Sequence, residues 1–346
     1  MVKLAICMPS NRGLHDSKAS IESAINYSNE RNVAISISDN SGSIEKKNYY
    51  SELIIDNIIK YNTPNNNDPT ENWLNALNII DADFKLILSD DDLIKSIDQQ
   101  SIVYENLADD IIGIRPVMSM HSIDKGIYST TNFSLTQSNP IDRFKHFLNN
   151  NNSATTTYYS FFRSDIIYGI LDLVNKHHPT KGEYTDWSII FALISSGKII
   201  NDESSHLIYN NSNWNGDEKY INDKIIDLFT KVDLPPNAII YLPLLKALDS
   251  LILTMRKSSP LPTSERKKSS AYLLLMYVNS FLNSDSSYFK NESSSTIKFI
   301  QMLSESKTVN DCIINTIKII STLRNDLEKK YYNFYYYSIG DEIGSF

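Results

Sequence analysis

From the first residue, short apolar runs alternate with amphipathic stretches. Residues 3–8 are a compact apolar run, and residues 18–29 carry Ile21, Ala24, Ile25 and Ser28 at helical spacing. Residues 33–38 alternate branched apolar with small side chains, as a strand does. A turn follows in "DNSGS", residues 39–43, then another short strand within "IIDNIIKYN" and a loop in "NTPNNNDP". "TENWLNALNII" places Trp73, Ala76, Leu77 and Ile80 on one helical face, with Thr70 positioned as its cap. Residues 85–88 form the next strand. Repeated β–α alternation predicts an α/β fold with a mostly parallel, Rossmann-like sheet and helices on both faces.

From residue 111 to 209 the pattern is mixed, with an asparagine-rich loop at 149–152, a strand at 157–162 and an apolar helix at 187–194. Beyond "NNSNWNG", residues 210–216, it turns helical: 220–231, 238–255, 269–281, 296–304 and 311–335. These runs predict a first domain over 1–215 and an α-helical C-terminal domain over 216–346. A basic Pro/Ser linker at 256–268 separates two helical groups. The apolar N-terminus is too short for a secretory signal and is expected to be a first strand. No later run approaches the roughly 18–20 apolar residues of a membrane span. A net charge of −8 over 346 residues argues against a nucleic-acid binder that neutralises phosphates. Cys7 and Cys312 are too far apart in sequence to suggest a disulfide framework or a zinc site, which fits a reducing cytosol.

In such a sheet, ligands bind beyond the carboxyl ends of the strands. Three polar clusters fall there: "PSNR" at 9–12, "SDNSGS" at 38–43 and "SDDDL" at 89–93. They are expected to converge on one edge. Three adjacent carboxylates after an apolar strand repel one another, and a cation lowers that cost. Mg²⁺ or Mn²⁺ takes one or two carboxylates and leaves its other positions to phosphate and water. Asp90 and Asp92 suit that task, and the competing reading is an acidic helix start. Asp39 and Asn40 either meet a base or ribose or close an Asx-turn. Arg12 meets a phosphate or lies on the surface. Asn72 occupies a different helix face from Trp73 and points toward the site. Asp186 stands where a loop enters an apolar helix, as N-cap, catalytic carboxylate or both, with Glu183 as the competing carboxylate. His177 and His178 precede Pro179 in a loop without zinc spacing and, with Trp214, are candidates for touching an acceptor.

Taken together, these stretches resemble the family 2 glycosyltransferases of the GT-A fold, over roughly residues 3–215. "ICMPSNR" is similar to the family's "I-P-T-Y-N-R" opening, and "ISISDNSGS" to its "I-I-V-S-D-N-A-S" segment. "ENWLNAL" resembles its "N-W-N-x-A-L" helix, "LILSDDDLI" its "L-L-S-D-D-D" metal motif, and "TDWSIIFALISSGK" its "E-D-W-D-L-W-L-R-L-L-x-x-G-K" segment. All five occur in the family's order. The resemblance implies transfer of a sugar from a nucleotide donor to an acceptor hydroxyl, in bacterial surface-polysaccharide or glycolipid synthesis. It places Pro9, Ser10 and Arg12 in the nucleotide loop, Asp39 at the base, Asp90 at the ribose or base and Asp92 on the divalent metal. Asp91 counts with the nucleotide contacts and is the aspartate whose replacement is expected to matter least. Asp186 takes the family's general-base position, which implies an inverting displacement. Thr185 stands where the family has glutamate, Ser188 replaces its second acidic residue, and no tyrosine precedes Asn11.

The helical C-terminal region lies outside these motifs. Ile313, Ile317, Ile320 and Leu327 fall near one stripe, as packing requires, and an oligomer interface is the competing use. The aromatic tail beside Lys329 and Lys330, with the basic linker, leaves open peripheral contact with the inner face of an anionic membrane. Such contact would suit a polyprenyl-diphosphate-linked glycan acceptor. Two other functions fit less of the pattern. A nucleotidyltransferase needs a Gly-rich basic loop, and residues 9–14 offer one glycine and one arginine. A non-catalytic glycan-binding or scaffold protein on the same fold would explain Thr185.

Overall fold

The computed structural model describes residues 2–53, 59–64, 68–99, 102, 104, 107–152, 154–181, 184–284, 289 and 292–340, and the statements below concern these. The chain divides into two compact units, Met1–Asp172 with Gly197–Asn215, and Leu173–Ser196 with Gly216–Phe346.

The first unit is built on a mixed sheet. Strands β1 (Val2–Ser10), β2 (Ala34–Asp39), β3 (Ile59–Asn62) and β4 (Ala82–Ile87) run parallel in the order β3-β2-β1-β4. Helices α1 (Leu14–Arg31), α2 (Ile44–Leu53) and α3 (Pro69–Asn78) make the crossovers that parallel pairing demands. Beyond β4 the alternation stops. The short β8 (Phe161–Arg163) lies antiparallel between β4 and β6 (Ile111–Ser122). β9 (Lys198–Asn210) runs parallel to β6, while β5 (Leu93–Ser96) and β7 (Gly126–Thr131) add antiparallel partners. The sheet is therefore mixed where a mostly parallel one was expected. Helices α4 (Pro140–Asn150) and α5 (Ser164–His177) complete this stretch of chain.

The core lies where α1 covers the strands: Ile21, Ala24 and Tyr27 pack on Ile6, Met8, Ile35, Ile37, Leu86 and Leu88. Each large apolar side chain buried this way stabilises by about 1.5–3 kcal/mol. β2 is buried along its whole length, and its two serines survive there because each finds an acceptor. Ser36 Oγ donates to Ala76 O at 2.7 Å and Ser38 Oγ to Asn72 Oδ1 at 2.5 Å. α3 is capped by Asp68, whose side chain accepts from Thr70 N and Glu71 N, so Thr70 is a first-turn residue and not the cap. Gly197 marks a close approach: a Cβ there would stand 2.7 Å from Asp110 O. Residues 157–162, expected as a strand, begin as a 3-10 turn, Thr156–Tyr158, before β8.

The second unit is helical: α6 (Asp186–Ser196), α7 (Glu218–Lys231), α8 (Leu242–Met255), α9 (Thr263–Leu282), α10 (Ser294–Ser304), α11 (Val309–Ser321) and α12 (Leu327–Ile339). The stretch expected as one helix over 311–335 is two, because the chain leaves the helix between Ser321 and Leu327. The expected linker at 256–268 is corrected too, since α9 begins inside it and two of its basic residues are buried. Arg256 donates to Leu253 O at 2.8 Å and to Ser196 Oγ at 2.6 Å, and Arg266 to Met255 O at 3.1 Å. These guanidiniums satisfy carbonyls at helix ends and are not a solvent-facing basic patch. Pro236–Met255 is long and apolar enough to cross a membrane by length and composition, contrary to expectation, yet 72% of its most apolar 18-residue stretch is buried within the chain.

Candidate functional site

The strand register brings the predicted clusters together. Ser10 at the end of β1 pairs with Asp39 at the end of β2, and the turn holding Asp90, Asp91 and Asp92 follows β4 on the other side of β1. Asp90 is the hub. One of its oxygens accepts from Ser10 Oγ at 2.7 Å, Asn11 N at 2.9 Å and Arg12 N at 3.0 Å, and the other pairs with the Arg12 guanidinium. Burial alone would push this carboxyl up, but the bonds from Ser10, Arg12 and Asn11 hold it below its ordinary value. Asp90 therefore shapes the loop after β1. Arg12 reaches on to Asp91 at 2.8 Å and stays partly open to solvent.

Lys46 of α2 is the residue that the sequence analysis missed. It is fully buried, and its ammonium donates to Ser10 Oγ at 2.5 Å, Arg12 O at 2.7 Å and Asp39 at 3.3 Å, with Asp90 at 3.7 Å. Nothing in "SGSIEKKN" separates Lys46 from its exposed neighbour Lys47. The only available signal is its position in the first turn of the helix after the Asp39 cluster. Asp39 is itself buried, accepting from Ser41 N at 3.0 Å and Tyr61 Oη at 3.3 Å, so the Asx-turn reading holds beside its ion pair. Asn40 Oδ1 accepts from Asn11 Nδ2 at 3.0 Å and Asn72 Nδ2 at 3.3 Å. Asn72 is buried and also donates to Ser10 O at 3.3 Å, so it does face the strand ends. Pro9 is buried in β1 opposite Ser38.

Asp92 differs from its neighbours. It is wholly buried, one oxygen accepts from Asn210 N at 2.7 Å, and the other has no hydrogen-bond partner. Burial, and then the neighbouring Asp91, push its carboxyl well above the usual carboxylate range. An orphaned buried oxygen is costly and asks for a partner. A hard divalent cation fits that donor. Among the described residues no three His, Cys, Asp or Glu gather into a complete ligand set, so a bound ligand would have to supply the remaining oxygens.

The remaining predicted residues belong to other elements. Asp186, in the second unit, is the exposed first residue of α6. Glu183 lies outside the described residues. His177 ends α5 and stacks on Tyr337 with centroids 4.2 Å apart. His178 is buried, Nε2 3.1 Å from Asp249, with Tyr331 Oη donating to the same carboxylate at 3.1 Å. His177 is thus the last residue of a helix, whereas His178 begins the loop as expected but is buried there as a partner of Asp249. Trp214 is exposed at the end of a 3-10 turn, Ser212–Trp214, in the first unit.

No protein-family model and no curated protein sequence matches the chain. Solved structures do. S. aureus TarS 1-349 in complex with UDP matches at 12% identity and a TM-score of 0.50, over 96% of this chain and 89% of that one. S. aureus TarS 1-349 matches at 11% and 0.48 over the same shares, and its complex with UDP-GlcNAc at 10% and 0.44 over 94% and 92%. The likeness to the UDP complex is one of fold. It agrees with the α/β GT-A architecture, followed by a helical C-terminal region, that the sequence implied.

Proposed function

We propose that this chain is a glycosyltransferase that takes a nucleotide sugar as donor and builds a cell-surface glycan. The observation that carries the reading is Asp92: a buried carboxylate with an orphaned oxygen, at the carboxyl end of β4, beside an arginine held by Asp90 and Asp91. The fold shared with a UDP-bound protein supports the same reading. UDP is accordingly the nucleotide to try first.

In this reading the nucleotide lies across the ends of β1, β2 and β4, in the crevice where an open α/β sheet binds ligands. The loop of Ser10 to Arg12, fixed on Asp90 and Lys46, presents backbone and the outer side of Arg12 to the diphosphate. Asn40 and Asp39 sit toward the base. Asp92 would hold a Mg²⁺ or Mn²⁺ ion, which when bound neutralises charge on the departing diphosphate. Asp186 is proposed as general base. The acceptor oxygen bonds to the anomeric carbon as the bond to the diphosphate breaks, and the acceptor proton passes to the Asp186 carboxylate. Attack opposite the leaving group inverts the anomeric centre. The protein would work in the cytoplasm, at the inner face of the membrane if its acceptor is lipid-linked.

Calorimetry with UDP and with UDP-sugars, with and without Mn²⁺, tests the reading. Metal-enhanced nucleotide binding is expected. Binding of glycans but no nucleotide would instead make the chain a non-catalytic carbohydrate module. Proton NMR of the first-formed product should show the opposite anomeric configuration to the donor, and retention would remove Asp186 as a simple base.

A further inference from the structure

A cavity of about 250 Å³ opens on the α1 side of the aspartate turn, within the first unit. Ser10, Asp39 and Lys46, assigned above to the nucleotide crevice, do not line it. Its polar lining is Asp16 from α1, Asp91 from the turn, His121 at the end of β6 and Asn210 at the end of β9. Its aliphatic lining is Leu93, Ile208, and Ile123 and Ile127 beside the turn that joins β6 to β7, and the two kinds adjoin on the sheet, where His121 pairs with Ile127. Ile123 and Ile127 are 87% and 52% exposed, so this turn offers apolar surface that the fold leaves uncovered.

We infer that this cavity is a carbohydrate site that takes a single neutral sugar ring. At about 250 Å³ the space is below the roughly 300 Å³ at which pockets for drug-sized molecules start, and it suits a single ring. An anion would meet the Asp16 carboxylate, and no Lys or Arg is among the described residues that line the space. Charge also argues against a simple organic cation, because the Asp91 carboxylate already binds the Arg12 guanidinium at 2.8 Å. What remains is a ligand whose hydroxyls both donate and accept, to carboxylate, imidazole and amide, while one C–H face lies on Leu93, Ile127 and Ile208. A sugar ring has this chemistry.

The site is wired to the nucleotide crevice. Asn210 lines the cavity, and its backbone N–H holds Asp92 at 2.7 Å. Asp91 lines it while holding the arginine that Asp90 fixes. A ring bound here therefore orders the ends of β4 and β9, the two segments that position Asp92. That the ring belongs to the growing glycan rests on the transferase reading above, whereas the site's preference for a neutral polyol does not.

Saturation-transfer difference NMR tests this on the full chain without nucleotide, using the methyl pyranosides of glucose, galactose, mannose, N-acetylglucosamine and N-acetylgalactosamine. At least one should receive saturation, strongest on the C–H protons of one ring face. Ala19→Trp, at an exposed α1 position lining the cavity, and Ile127→Asp, in its aliphatic lining, should each weaken that glycoside about tenfold or more. Unchanged thermal midpoints confirm that the variants fold, and both positions are solvent-facing. No signal from any of the five, or signal undiminished in both variants, overturns the inference. UDP calorimetry is read separately. Sugar binding without UDP binding would sink the transferase reading and keep the site, and UDP binding without sugar binding would do the reverse.

Discussion

Replacing Lys46 with methionine tests whether one buried ammonium organises the ends of β1 and β2. The side chain is fully buried and its charge lies 3.3 Å from Asp39 and 3.7 Å from Asp90. Methionine keeps much of the volume and removes the charge. Asp90 retains Arg12 and two backbone N–H donors, so the larger loss falls on Asp39, left with Ser41 N and Tyr61 Oη. Removing one partner of a buried ion pair costs about 3–5 kcal/mol, because the remaining charge stays desolvated. Against a total stability of about 5–15 kcal/mol, that is a large fraction.

The two units require separate reporters, since multi-unit chains need not unfold in one step. Of the three tryptophans, Trp73 and Trp214 lie in the first unit and Trp187 in the second. In a Trp187→Phe background, urea unfolding followed by fluorescence therefore reports the unit that contains Lys46. A loss within about 0.5 kcal/mol of zero, the range of an ordinary surface substitution, would refute the organising role. The double variant Lys46→Met, Asp39→Asn sharpens the test. If Asp39 is the carboxylate left stranded, the pair should be at least about 1 kcal/mol more stable than the sum of the single effects predicts. Strict additivity would move the partnership to Asp90.

Asp92→Asn keeps an acceptor for Asn210 N and removes a buried charge, so apo stability should not fall while the Mn²⁺ enhancement of UDP affinity disappears; a metal effect that survives would refute the ligand assignment. His206 stands opposite Lys95 in the β5–β9 pair, and burial, then Lys95, lowers its pKa from 6.5. Its stabilising contribution is therefore present above pH 6.5 and is lost as pH falls through the lowered value, so the thermal advantage of wild type over His206→Asn should shrink from pH 8 to pH 5. A constant difference would show that His206 does not titrate. Arg256→Met takes the guanidinium donor from Leu253 O near the end of α8 and from Ser196 Oγ, and should destabilise the second unit by about 2 kcal/mol, read through Trp187 in unfolding curves. A neutral result would mean that water replaces the guanidinium.

The parts of this fold that were legible in sequence are those where local pattern and global requirement agree. Residues 3–8, 33–38 and 85–88 are apolar because β1, β2 and β4 are covered on both faces, and their polar sequels converge because parallel strands bring their carboxyl ends to one edge. Among the later strands, β5 hid because four residues are too few for any period to show, and β8, three residues long, was met only at the end of the strand expected over 157–162. Arg256 and Arg266 misled for a different reason: a basic Pro/Ser stretch looks solvated until the end of the preceding helix demands donors.

The aspartates show the limit most sharply. Sequence made Asp90 and Asp92 alternate members of one acidic cluster, yet their environments push them in opposite directions, and neither environment is local. Asp90 is held down by Ser10 and Arg12, nearly eighty residues earlier, and Asp92 is propped up by burial and touched by Asn210, 118 residues later. A motif can place three carboxylates at a strand end. Which one stays paired and which keeps an oxygen free depends on the loop after β1 and the end of β9, and those meet the turn only in the folded sheet. That division also explains why Lys46 is needed: with Arg12 drawn toward Asp90 and Asp91, Lys46 is the cation among the described residues that pairs with the buried Asp39.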